Sequence, residues 1–129
     1  MKDLKASEII KKFPKIYGEP STNGYFHYVE FECSKGWYSL ILELSENLQK
    51  ILDQDKSLTI EISKVSAKYG ELCFNYRGNC SDEMHTLIHK AESDSFVICE
   101  ICGDEGKLIT DISWWVTRCE KCFAKEHRR

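Results

Sequence analysis

Four of the seven cysteines fall in two pairs of identical spacing, Cys99-x-x-Cys102 and Cys119-x-x-Cys122, separated by sixteen residues. Thiolates three residues apart converge on one ion, and two such pairs complete a tetrahedron of sulfurs around it. Four protein ligands leave no position for water, so the expected centre is structural, with Zn2+ as the expected ion. The same donor set would also accept rubredoxin-type iron. Gly103 follows the first pair and suits the left-handed turn of a metal knuckle, in which backbone N–H groups stabilise thiolate charge. The second pair has no such glycine. Cys33, Cys73 and Cys80 have no partner at this spacing and are expected not to be ligands.

Other chemistry finds little support. His85 and His89 stand four apart, but Thr86 occupies the place where a zincin carries glutamate. No His-x-Glu precedes a Pro-Cys-x-x-Cys, as a zinc deaminase requires. No Gly-rich phosphate loop and no serine nucleophile elbow occur. An enzyme is not expected.

The elements that must position the cysteines follow from hydrophobic periodicity. Leu4, Ile9, Ile10 and Phe13 predict a helix over Asp3 to Phe13, ended by Pro14. Tyr25, His27, Val29 and Phe31 alternate as one face of a strand running to Glu32. After Gly36 the strongest helix carries Trp37, Leu40, Ile41, Leu44, Leu48, Ile51 and Leu52 as one stripe. Leu58, Ile60 and Ile62, then Leu72, Phe74 and Tyr76, alternate as two strands of a hairpin turning at Gly70. Residues 64–69 extend the first of these strands if it carries a bulge. Asn79 or Ser81 caps a further helix to about Ser93, with Met84, Leu87, Ile88 and Ala91 inward. The thirteen residues from Gly106 to Arg118 suffice for two short strands and a turn. The fold class is therefore α+β: a small antiparallel sheet with about three helices, plus a C-terminal zinc ribbon. Residues 1–96 form the body, and 97–129 form a ribbon module packed on it as one compact unit.

The chain has 129 residues, 42% hydrophobic, with fifteen aromatics, which is ample for one core. This composition excludes collagen, rod, porin and mucin classes. The start lacks the apolar core of a secretory signal, so a cytoplasmic protein is expected and a disulfide scaffold is not. Charge is uneven: +2 over residues 1–29, −8 over 30–105 and +3 over 106–129. An acidic body repels a phosphate backbone and favours a protein partner, with Glu43, Glu46 and Asp53 as the docking side of the long helix. The alternative is nucleic-acid binding by Arg118, Lys121, Lys125, Arg128 and Arg129 beside Trp114 and Trp115, as basic groups near indoles hold phosphates and stack bases.

A longer pattern runs along most of the chain. It comprises Lys12-Phe-Pro-Lys-Ile-Tyr17, Phe31-Glu-Cys-x-x-Gly-Trp37 and Val65-x-x-Lys-Tyr-Gly-x-Leu-x-Phe74. It continues through Ala91-Glu-Ser, Ser95-x3-Cys99-Glu-x-Cys102-Gly103, Gly106-Lys-Leu and Trp115-x-Thr-x-Cys119. In these motifs the chain resembles a family of small, uncharacterised phage and prophage proteins. That family closes its metal motif with Cys-x-x-His where this chain has Cys119-x-x-Cys122, and either supplies a fourth ligand. The family's basic stretch around the hairpin is thinned here to Ser66-Ala-Lys-Tyr-Gly-Glu-Leu-Cys-Phe74. The resemblance implies an accessory protein of mobile-element type that binds and modulates a host, toxin or defence component. The expected function is thus a zinc-stabilised protein-binding factor of inhibitor, anti-defence or immunity type, and the alternative is a nucleic-acid-binding ribbon protein. No membrane partner is expected.

Overall fold

The computed structural model describes residues 6–17, 30–110 and 115–126. Pro14 divides the first apolar stretch instead of only ending it. Helix α1 (Ala6–Lys12) stops before it, and a single turn, α2 (Pro14–Tyr17), starts on it. Proline has no N–H to lose at a first helical position, where none would be paired. Ile9, Phe13, Ile16 and Tyr17 are buried by these two turns. The strand predicted from Tyr25 is described only as β1 (Glu30–Glu32); its earlier residues, and Asp3 to Lys5 of the first helix, lie outside the described residues.

A 3-10 turn, Lys35–Trp37, leads into α3 (Tyr38–Gln54), which buries Ile41, Leu44, Ser45, Leu48 and Leu52 on one side. Strand β2 (Glu61–Lys68) follows, and β1 pairs with it in parallel, Phe31 opposite Val65. The sheet is therefore mixed, in contrast to the antiparallel one expected. The reason is the connection: a helix between two paired strands returns the chain in the same direction. Strand β3 (Glu71–Arg77) pairs antiparallel with β2 across a two-residue turn, Tyr69-Gly70, at φ 54° and 78°. The order is β1-β2-β3.

The register slips between Ile62 and Lys64, which leaves Ser63 as the extra residue of a bulge. The bulge switches which positions of β2 face inward, from Ile62 to Val65. Helix α4 (Asp82–Asp94) starts where Ser81 Oγ accepts the Met84 amide at 3.3 Å, with Asp82 and Glu83 complementing its dipole. Met84, Ile88 and Ala91 close the core. α4 and the turn after it also cover the outer edge of β3: the Leu72 amide donates to Ser95 Oγ at 2.9 Å and the Phe74 amide to Glu92 Oε2 at 3.1 Å. That leaves those edge donors unable to pair with a foreign strand.

The C-terminal part adds an antiparallel pair, β4 (Lys107–Ile109) and β5 (Val116–Arg118), then helix α5 (Glu120–Glu126). Among the described residues the architecture is α+β with a three-stranded and a two-stranded sheet, the latter beside the cysteine cluster. Among the described residues, no helix is long and apolar enough to cross a membrane.

Candidate metal centre

The first cysteine pair lies in a tight loop closed by its own backbone. The Gly106 amide donates to Val97 O at 2.8 Å, the Cys99 amide to Asp104 O at 2.7 Å and the Gly103 amide to Cys99 O at 2.9 Å. Gly103 sits at φ +84°, the left-handed turn that a side chain resists. Strands β4 and β5 then carry the chain out and back, with Lys107 opposite Arg118, so that Cys119 returns beside the loop.

The second pair is built differently. Cys119 directly precedes α5 and Cys122 stands in its first turn, where the Cys122 amide points at Cys119 Sγ (3.4 Å). Three residues make nearly one helical turn, which puts both sulfurs on one side. The missing glycine after Cys122 is thereby explained: the chain continues as helix, so no left-handed turn is needed.

All four Sγ atoms lie within 4.8 Å of one another, and Cys102 and Cys119, from different elements, are 3.6 Å apart. Metal–sulfur bonds of about 2.3 Å give a tetrahedron with edges of about 3.8 Å. A disulfide would need about 2.05 Å, and all seven cysteines are free thiols. Cys99 is fully buried, Cys119 and Cys122 are half-buried and Cys102 is exposed.

The thiols are pulled in opposite directions. Burial pushes Cys99 up, but the amides of Cys119, Cys102 and Ile101 outweigh it and bring the thiol down to about 7. Burial and the three neighbouring sulfurs push Cys122 up to about 12. Four thiolates crowded together repel, and a cation at their centre relieves that repulsion. The donor set and its spacing fit a metal ion, which Cys99, Cys102, Cys119 and Cys122 would hold with no corner left open.

Two residues flanking the clustered cysteines tie the cluster to the body. Glu100 and Arg118 form a buried ion pair at 3.1 Å, each side chain about 10% exposed. Glu100 Oε2 also accepts the Ser34 amide at 3.0 Å, and its backbone carbonyl accepts the Gly36 amide at 2.7 Å. A Cβ at Gly36 would collide with the carbonyls of Cys99 and Glu100, so only glycine permits this approach. Next to it, Trp37 is fully buried and donates its indole N–H to Ile98 O at 2.8 Å. On the other side, Thr117 Oγ1 donates to Gly70 O at 2.5 Å, seating the β2–β3 turn on the module. Arg118 is thus a buried partner of Glu100, which corrects its expected place among surface phosphate contacts. The available signal was position: both charges stand directly beside one of the four clustered cysteines, Glu100 after Cys99 and Arg118 before Cys119.

Of the other basic candidates, Lys121 and Lys125 are exposed on α5, whereas His127, Arg128, Arg129 and Trp114 lie outside the described residues. Trp115 is 48% exposed and meets the ring of Tyr69, itself 72% exposed, edge-on at 6.3 Å. Glu43, Glu46 and Asp53 are exposed on α3 within one arc of the helix. Lys50 falls within the same arc, and Asp53 accepts from Gln49 Nε2 at 2.9 Å and lies 3.8 Å from Lys15 Nζ. The two α4 histidines have separate partners: His85 Nδ1 meets the Tyr76 hydroxyl at 2.7 Å and His89 Nδ1 meets Glu92 at 3.3 Å. Cys33, Cys73 and Cys80 do not join the cluster. Comparison with protein-family models, curated proteins and solved structures finds no significant match for the chain.

Proposed function

We propose that this chain is a zinc-stabilised, non-enzymatic protein that docks on a protein partner and modulates it. The observation that carries the proposal is the convergence of four sulfurs, all from the chain's own cysteines, within 4.8 Å of one another, which is enough to fill every corner of a tetrahedral site. An ion held this way has no position for water or substrate, and contributes folding energy instead of reactivity. Zinc suits four thiolates in a compact tetrahedron, with no redox chemistry of its own.

The partner is proposed from charge. The −8 of residues 30–105, with Glu43, Glu46 and Asp53 outward on α3, suits a basic protein surface and opposes a phosphate backbone. The resemblance to phage and prophage proteins extends this to a host or defence component met in the cytoplasm, with inhibitory, anti-defence or immunity-type action.

One observation favours a second reading, nucleic-acid binding. Tyr69 and Trp115 offer exposed rings on which bases stack, and Lys121 and Lys125 are exposed on the helix that follows β5. Affinity capture from host lysate with and without nuclease separates the two. The first reading expects a protein retained after nuclease, weakened by salt and lost when Glu43, Glu46 and Asp53 are changed to lysine. Retention abolished by nuclease, with a gel shift lost on changing Lys121 and Lys125 to alanine, would establish the second reading instead.

A further inference from the structure

Helix α3 continues directly from the 3-10 turn, whose Lys35 carbonyl accepts the Tyr38 amide. Trp37 stands at its N-cap position and Ser34 at that of the 3-10 turn before it, and neither side chain accepts a hydrogen bond from the helix it precedes. A helix start normally leaves several amides that need an acceptor. Here two amides of the lead-in, Ser34 and Gly36, are both satisfied by one residue 64 or more positions away: Glu100, through its carboxylate and its carbonyl.

We propose that Glu100 caps the 3-10 turn Lys35–Trp37 that leads into α3, and that metal loading of the cysteine centre thereby sets the order of this lead-in. This rests on the metal reading above. The geometry couples the two sites directly. Glu100 lies between the ligands Cys99 and Cys102, and its partner Arg118 adjoins the ligand Cys119. Ligation of both cysteine pairs to one ion holds Glu100 and Arg118 together, and so holds the carboxylate where Ser34 needs it. The Gly36 contact has no slack to absorb a shift of the loop, because its backbone already touches Cys99 and Glu100. Release of the ion lets the loop and α5 separate, removes the acceptor from Ser34 and Gly36, and frays the turn leading into the helix that bears Glu43 and Glu46.

Hydrogen exchange of the full chain tests this in two arms, with metal content measured on every sample. Removing zinc with a chelator is expected to speed exchange at Ser34 and Gly36 by roughly fivefold or more, the scale of one lost helix cap. Zinc-loaded Glu100→Met with Arg118→Met, which removes both buried charges and the side-chain acceptor of the Ser34 amide, is expected to keep one ion per chain, since neither residue is a ligand, yet to show the faster exchange at Ser34. Should that variant not fold, Glu100→Ala with Arg118→Ala serves the same arm. Metal present, with Ser34 and Gly36 unchanged on chelation or Ser34 unchanged in the variant, overturns the inference and leaves the metal reading standing. A protein without stoichiometric metal overturns the metal reading, and this inference with it.

Discussion

At the scale of single residues, Glu100 and Arg118 show how a buried charge is tolerated when each end is fully engaged. Both side chains are about 10% exposed, and the carboxylate is shared between the guanidinium and the Ser34 amide. Removing one partner leaves the other charge buried and alone, which costs about 3–5 kcal/mol. Glu100→Gln and Arg118→Met should each lower the thermal midpoint sharply, whereas the double methionine variant should recover much of the loss. A single variant melting like wild type would contradict this reading. Cys33 makes a second residue-level case. Burial, and then the charge of Glu100, pushes its thiol from 9.0 up to about 12. Burial raises Tyr17 as well. Both groups hold their proton more tightly in the folded chain than in the unfolded one. Their contribution is therefore complete below about pH 9 and is lost as pH rises toward the folded values. Chemical denaturation at stepped pH should show stability falling between about pH 9 and 12. Cys33→Ala should flatten part of that fall, and an unchanged alkaline limb in the variant would exclude Cys33 as its source.

At the scale of elements, the features readable in the sequence are those decided by neighbouring residues. Ser81 before Asp82 and Glu83 marks the start of α4, and the apolar stripe after Trp37 marks α3. The bulge near Ser63 was foreseeable because the inward positions of β2 change parity between Ile62 and Val65. The parallel pairing of β1 was not, since it depends on where α3 returns the chain. Nor was the Glu100–Arg118 pair, because an Arg118 among lysines and arginines reads as part of a basic end until its burial is seen. The convergence of the four cysteines was legible from spacing alone, but the helix that carries Cys122 was not, although the absent glycine hints at it. The β2–β3 turn adds a prediction. Tyr69 holds φ 54°, a region that costs an L-residue with a bulky side chain about 1–2 kcal/mol and that asparagine enters readily. Tyr69→Asn should raise stability by about 1 kcal/mol in a denaturant titration. A decrease would mean that the edge-on contact with Trp115 outweighs the backbone strain.

At the scale of the whole molecule, the module and the body share one seam. The Cys99–Gly103 loop receives Gly36 and Trp37, and β5 receives the turn at Gly70, so the centre buttresses the core as well as its own hairpin. On the proposed metal reading, loss of the ion removes folding energy from a seam that both parts use. It should lower the stability of the body along with that of the last thirty residues. The acidic body, with its exposed side on α3, is the proposed reading surface, and the seam ties its lead-in to the metal centre. The most direct test is elemental analysis of the purified full chain, paired with thermal melting of each sample. The account predicts one zinc per chain in wild type, and the same content when Cys33, Cys73 and Cys80 are all replaced by alanine. It predicts loss of the ion together with a strongly lowered melting point in Cys102→Ser. A wild-type chain without stoichiometric zinc, or a Cys102→Ser variant that melts like wild type, would contradict it.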